Sequence, residues 1–455
     1  MKIHTLGGYS EVGKNMTAIE LKDDVIILDC GFYLPAVIAL QDKENIPSGD
    51  GISEEKGLNE KKLRAAGAIA DDTVLDKLGL RKKVRAILIG HAHLDHVGAI
   101  PYVGGRYNCS VYGTPFTIAV LKRLLEDEKK KIPNKLEAIK PNSTFFIQGL
   151  KKKYKVDFIN MTHSTPQTVM IAVHTDEGIV LYANDFKFDN NPILGEKPNY
   201  KKLNEIAKKG VKVLIVDSLY SNSDGKTPSE KVARSLLEEV LLTTYTKKAG
   251  IFVTTFSSHI ARLQSIVDFG KKLNRKIVFV GRSLNKYVSA AIDTGLCNFK
   301  KDIQLTSYKN QVKSALKQVN KNKSQYLVVC TGHQGEPGSM LDRIASNEMP
   351  IDLAPSDLIV FSSKTIPTEI NINNRHILET KLRNKRVRIF DNVHVSGHAS
   401  REDLRDFVQL VRPKNIIPAH GDIKQETGMV DLAKELGYKF GESVHLMQDN
   451  QVLKL

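Results

Sequence analysis

The sequence predicts an α/β protein of more than one domain, built around two kinds of sheet. Three observations carry this. The chain has 455 residues, too many for one ordinary core. Its first 200 residues are β-rich with short apolar strands, whereas from about Lys201 strands and helices alternate as in parallel βα units. After roughly Arg386 the elements shorten again. The boundaries that follow are 1–200 for a first part, 201–385 for the βα part and 386–455 for a final part.

Taken in order, Val25 to Leu28 is an apolar strand that ends at Asp29, Cys30 and Gly31. Residues 36–80 carry Pro47, Gly49, Gly51 and Gly57, then a charged helical pattern through Leu63 and Leu75; this reads as a surface insertion. Val84 to Ile89 is a strand closed by Gly90, and Lys151 to Ile159 and Gly178 to Ala183 are further strands. After Asp217 a helix is expected with Thr227 as its N-cap, Pro228 in the first turn and Glu230 closing a capping box. Val232, Leu236, Leu237, Val240 and Leu241 mark the face it buries. Ile251 to Thr255, Ile277 to Val280, Tyr326 to Val329 and Leu358 to Phe361 repeat the strand signal. Val387 to Phe390, Asn415 to Pro418 and Gln451 to Leu455 then bracket two helices.

Composition narrows the partners. Lys and Arg outnumber Asp and Glu by 67 to 51, a formal charge of +16 that favours polyanions such as nucleic acid. The four cysteines, Cys30, Cys109, Cys297 and Cys330, form no C-x-x-C pair and read as reduced thiols of a cytoplasmic protein. No apolar run approaches the roughly 20 residues of a membrane-spanning helix, and Met1 to Asn15 does not read as a signal peptide. No membrane partner is expected. Nor is a nucleotide cofactor, because the Gly332 to Gly335 turn lacks the lysine and spacing of a P-loop.

The strongest chemical signal is His91-Ala92-His93-Leu94-Asp95-His96. In the loop after a strand, His91 and His93 turn the same way, while Asp95 and His96 open the next helix and aim at a second point. Neutral imidazoles and carboxylates suit zinc. Six residues do not complete two metal shells, so more ligands must come from elsewhere. His163, Asp185 and His420 each sit where a predicted strand ends, although any one of them alone could be an ordinary loop residue.

The H-x-H-x-D-H segment resembles the signature of the metallo-β-lactamase superfamily. The long βα stretch between Asp185 and the final strands resembles its nucleic-acid-acting β-CASP subgroup. Within that subgroup the chain is similar to the ribonuclease J family in its short, archaeal form. The likeness runs through Leu6 to Asn15, His91 to Tyr102, Thr162 to Pro166, Asp185 to Asp189, Gly281 to Ser283, Thr331 to Pro337, Phe361 to Ser363 and His394 to Ala399. It implies an αββα sandwich with an inserted parallel-sheet domain. It also implies that His91, His93 and His163 hold one zinc, that Asp95, His96 and His420 hold a second, and that Asp185 bridges them. Asp29 would orient a ligand or the nucleophile, Asp217 would buttress a histidine, and His398 and His420 would match the later motifs. The departures are Asn184 where glycine is usual, His333 in place of a small residue, and no counterpart of the bacterial C-terminal domain.

The chemistry expected of two zinc ions is to lower the pKa of a shared water toward neutrality, so that it attacks phosphorus in line. His398 is the candidate general acid for the leaving 3′ oxygen. A ribonuclease J-like enzyme acts on single-stranded RNA from a 5′ monophosphate, with a pocket for the terminal phosphate. Hydroxyls and backbone N–H groups at strand-to-helix turns offer one: Ser258, Arg282, Ser283, His394, Ser396, Gly397 and His398. Manganese is an alternative to zinc, and a homodimer is a further expectation from the resemblance. The rival readings are an RNA-processing endonuclease, a small-ester metallo-hydrolase and a catalytically silent RNA-binding subunit.

Overall fold

The structure, a computed structural model, describes residues 1–43, 58–366 and 369–455. Pro47, Gly49, Gly51 and Gly57 lie outside the described residues. Two sheets form a sandwich. The first runs Gln451–Lys454, Lys2–Gly7, Met16–Glu20, Val25–Leu28, Val84–Leu88, Ser110–Gly113 and Leu136–Ala138 in spatial order. The second runs Asn415–Ala419, Val211–Asp217, Gly178–Ala183, Val169–Thr175, Lys153–Asn160 and Thr144–Gln148. Alternation along each strand gives each sheet an inner face. Ile19, Ile26, Leu28 and Leu88 of the first meet Phe158, Ile171, Val180 and Ile215 of the second in one buried cluster. The outer faces carry helices. Phe116 and Val120 of helix Pro115–Asp127 join the first sheet's outer cluster, and Leu203, Phe407 and Met429 cover the second. The sandwich is therefore αββα, as the resemblance implies.

The final strands return to this sandwich. Asn415–Ala419 pairs in parallel with Val211–Asp217, and Gln451–Lys454 pairs antiparallel with Lys2–Gly7. Between them lies a third sheet, ordered Ile303–Thr306, Lys276–Val280, Tyr326–Cys330, Ile251–Thr254, Leu358–Phe361 and Arg388–Phe390, with every pairing parallel. Its four central strands are nearly all buried, the pattern of a parallel sheet covered on both sides. One face shares a continuous core with the sandwich: Phe116 packs near Tyr287 of helix Arg282–Asp293, ring centroids 6.5 Å apart.

Two local readings need correction. The helix after Asp217 spans Glu230–Thr243 with Ser229, not Thr227, as N-cap; the Ser229 hydroxyl accepts from the Lys231 N–H. Thr227 instead donates its hydroxyl to the His398 carbonyl at 2.6 Å, and Glu230 pairs with Arg262. Its buried stripe keeps Leu237 and Leu241 but adds Ala233 and Glu230, while Val232 and Leu236 face solvent. An ion pair beneath the helix start has turned the helix away from its most apolar face. The described part of 36–80 is also less peripheral than its charge pattern suggests: Leu63 and Leu75 are fully buried beside Ala68 and Ile69 in the first sheet's outer core.

Candidate metal centre

The loops that carry the expected ligands leave the ends of sandwich strands, and three residues there do so in an unusual way: Asp29, Asp185 and His420 have φ of 57°, 52° and 54°. A left-handed backbone costs an L-residue roughly 1–2 kcal/mol, so three such positions at strand ends indicate a local demand on side-chain direction. Val84–Leu88 feeds the turn through His91 and His93 into the short helix Leu94–Val97, which carries Asp95 and His96. Gly31 lets this helix lie close: a Cβ there would stand 1.6 Å from the Asp95 carbonyl oxygen.

These elements converge. His91, His93, His163 and Asp185 form one group, and Asp95, His96, Asp185 and His420 a second; the ligand atoms within each lie within 4.8 Å of one another. In the first, His93 Nδ1 is 3.0 Å from His91 Nε2 and 3.2 Å from His163 Nε2, and Asp185 Oδ2 is 3.4 and 3.6 Å from those two Nε2 atoms. In the second, Asp185 Oδ1 is 3.2 Å from His96 Nε2 and 3.4 Å from His420 Nε2, with Asp95 Oδ2 at 3.7 and 3.9 Å from the same atoms. Donors about 2.0–2.2 Å from a tetrahedral zinc stand roughly 3.3–3.6 Å from one another. The spacing therefore fits, and Asp185 turns one oxygen to each group. Asp185 Oδ1 is buried and accepts no hydrogen bond, an orphan that a cation would satisfy.

Electrostatics agree with the geometry. Burial, helped by neighbouring imidazoles, holds His91, His93 and His163 well below the usual histidine range, so they present lone pairs. Burial opposes charge on His96 too, but Asp185, Asp95 and Asp29 outweigh it and draw positive charge to that spot. For Asp185, burial is overcome by His420, His96 and His398, which keep it ionised.

A ring of hydrogen bonds orients the ligands. His96 Nδ1 donates to Asp29 Oδ2 at 2.6 Å, and the Gly90 N–H donates to Asp29 Oδ1 at 2.8 Å. His163 Nδ1 donates to the Gly397 carbonyl at 2.8 Å, and the Asn15 side chain lies against His420 Nδ1. His93 Nε2 meets the Ser258 hydroxyl at 2.9 Å, a contact from the third sheet to the sandwich. His398 Nδ1 is 2.7 Å from Asp217 Oδ2, while its Nε2 points to Asp185 Oδ2 at 4.0 Å. The Ser396 hydroxyl accepts from the His398 N–H at 3.0 Å. Ser283 lies 2.8 Å from Ser257 through their hydroxyls, and Arg282 opens the helix Arg282–Asp293. His394 stands apart from the ligands, its Nδ1 3.4 Å from the Arg262 guanidinium. Burial, then Arg262, push its pKa down to about 2. Asn15, Tyr182 and Asn184 were not among the expected site residues. Their contacts join positions up to 405 residues apart, and no local pattern announces them.

Comparison with known proteins agrees with this geometry. Residues 10–216 match the model of the metallo-beta-lactamase superfamily, residues 248–379 that of the ribonuclease J beta-CASP domain, and residues 384–446 that of the Zn-dependent metallo-hydrolase RNA specificity domain. Ribonuclease J of Pyrococcus abyssi is 42% identical over 457 residues, covering 100% of this chain and 97% of that protein. The chain belongs to the ribonuclease J family. A second archaeal member, from Methanocaldococcus jannaschii, is 40% identical and spans 100% of this chain and 98% of its own length. The Helicobacter pylori member is 29% identical, and the match covers 61% of it. Among solved structures, a protein of unknown function from Enterococcus faecalis V583 shares the fold, with a TM-score of 0.63 at 14% identity over 100% of this chain and 99% of that one.

Proposed function

We propose that this chain is a zinc-dependent 5′-to-3′ exoribonuclease that releases nucleoside 5′-monophosphates from single-stranded RNA bearing a 5′ monophosphate. The observation that carries the reading is the convergence of seven His and Asp side chains on two points that share Asp185, in a chain of a ribonuclease family. Two zinc ions, when bound, supply an activated water and offset charge growing on the phosphoryl oxygens. The histidine-rich donor set favours zinc over manganese.

The chain's own groups do the rest. Asp29 fixes the tautomer of His96, and Gly397 that of His163, so that each Nε2 faces its group. Asp217 holds His398 Nδ1, leaving Nε2 directed at the centre. Burial lowers the pKa of His398, but Asp217 and Asp185 more than offset this and push it up to about 9. Asp217, which contacts the ring on the side away from the centre, favours the protonated form from which His398 gives a proton to the leaving 3′ oxygen. Ser283, Arg282 and Ser396, at turns beside the centre, hold the terminal phosphate. Ser258 and Gly397 bound that pocket while gripping His93 and His163.

No helix among the described residues is long and apolar enough to cross a membrane. The four cysteines are free and three are buried, which supports work in the reducing cytoplasm. The test is digestion of 5′-monophosphorylated RNA labelled in its 5′ nucleotide with product sizing, with and without chelator. Mononucleotides released from the 5′ end, loss with chelator and slower attack on 5′-triphosphate RNA are expected. Mid-chain fragments would favour the endonuclease reading, and equal rates on both ends would remove the phosphate pocket.

A further inference from the structure

Asn184 lies between the last residue of strand Gly178–Ala183 and Asp185, and it is buried. Its Nδ2 makes two hydrogen bonds, to the Tyr182 hydroxyl at 2.8 Å and to Asn15 Oδ1 at 3.2 Å. Each leads to a different histidine of the same group. The Tyr182 hydroxyl donates to Asp29 Oδ2 at 2.8 Å, and Asp29 Oδ2 accepts from His96 Nδ1 at 2.6 Å. On the other arm, His420 Nε2 faces Asp185, so Nδ1 carries the hydrogen; the Asn15 amide lies against it with Nδ2 at 2.9 Å and Oδ1 at 3.1 Å, and of the two Oδ1 is the acceptor. Asn15 Nδ2 in turn donates to the carbonyl of Asp95, another ligand of that group.

The orientation of the Asn184 amide is determined by these contacts. Its Oδ1 is buried and makes no hydrogen bond. Turning the amide over would set that oxygen against Asn15 Oδ1, two acceptors face to face, so only the NH2-inward orientation closes both arms. A leucine-shaped side chain at this position would fill the space and tie neither arm.

We propose that Asn184 is a positioning residue for the second cation group, coupling the orientations of His96 and His420 through Tyr182–Asp29 and Asn15. It does not touch the cation. The first group, His91, His93 and His163, is held by other partners, Ser258 and Gly397 among them. Loss of Asn184 therefore acts on one site and spares the other. This inference rests on the two-cation reading of the centre, and metal titration separates the two.

The experiment is calorimetric titration of the metal-stripped full chain with Zn²⁺, on the unaltered protein, Asn184→Ala and Tyr182→Phe. The unaltered chain takes up two equivalents. Asn184→Ala keeps the first affinity and loses about 10-fold or more in the second, the usual scale for removing a group behind a ligand. Tyr182→Phe, which keeps the ring and removes only the hydroxyl, shows a loss in the same site. Should Asn184→Ala fail to fold, Asn184→Gly, the residue usual at this position in the family, decides in its place by the same loss in the second site. Unchanged second-site affinity in the folded variants overturns the role of Asn184, as does equal weakening of both sites with a falling Tm, which would mark a merely structural residue. Fewer than two equivalents on the unaltered chain sinks the two-cation reading itself.

Discussion

Gly397 shows how closely the centre is fitted. Its carbonyl receives the His163 Nδ1–H, and a Cβ at this position would stand 3.0 Å from both Cε1 and Nδ1 of that ring. The neighbour cannot yield without turning Nε2 away from Asp185. Gly397→Ala is therefore expected to lower affinity at the first cation group by roughly 10-fold or more, read as Zn²⁺ retained after dialysis against a weak chelator. Wild-type retention would mean that the ring moves freely. The seven side chains that gather into the two groups were partly legible in the sequence, because four of them fall within His91–His96, where strand and turn fix their directions. The residues behind them were not. Asn15, Tyr182 and Asn184 gain their contacts only when three strand ends bring them together, and Ser258 and Gly397, read as phosphate binders, also touch His93 and His163.

Elements meet where buried charge must be settled. Helix Ile423–Glu435 presses Glu426 against the loop after Lys2–Gly7, where the Ser10 N–H donates to Oε1 at 2.8 Å. Burial is the main force on this carboxyl, helped by Asp449 and only partly opposed by Ser10, and its pKa is pushed up to about 9. The folded protein therefore holds a proton that the unfolded chain, titrating near 4.5, releases. The stability this proton provides is complete below about pH 4.5, falls through the neutral range and is gone above about pH 9. Glu426→Gln mimics the protonated form without titrating. Its Tm should exceed that of the unaltered protein at pH 8.5, by about 1 °C per kcal/mol recovered for a chain of this length, and the gap should close toward pH 4.5. An equal gap at both ends would show that Glu426 is ionised in the fold. The same principle explains why helix Glu230–Thr243 defied its apolar pattern. Glu230 takes Arg262 in a buried pair, Oε1 to Nε 2.5 Å and Oε2 to Nη2 2.8 Å. Separating such a pair costs about 3–5 kcal/mol, more than burying Val232 or Leu236 would return at roughly 1.5–3 kcal/mol each. Periodicity finds helices; it does not weigh an ion pair contributed by a helix thirty residues away.

At the scale of the whole molecule, the two convergent His and Asp groups belong to the sandwich and its returning segment, while the third sheet contributes Ser258 and the turns beside it. The change from β-rich to alternating βα patterning was legible, but not its place: read at about Lys201, it comes later, because helix Tyr200–Lys209 and strand Val211–Asp217 still belong to the sandwich. The shared core through Phe116 and Tyr287 depends on a contact between helices far apart in the chain. The formal charge of +16 then bears on the substrate rather than on the fold. A single strand neutralised at Z phosphates binds with a log–log salt slope of about −0.7Z. For an enzyme that feeds RNA along a groove toward one centre, several phosphates should be engaged at once, which puts the slope near −3 for about four of them. Asp185→Asn removes the shared ligand and with it cleavage, leaving binding to be measured alone. Anisotropy of a fluorescent single-stranded RNA with this variant, titrated between about 50 and 200 mM salt, should show affinity falling by roughly 50-fold, the fourfold change in salt raised to the power of that slope. A slope near zero would mean that the positive surplus lies away from the RNA path and that base stacking, not phosphate neutralisation, holds the strand in place.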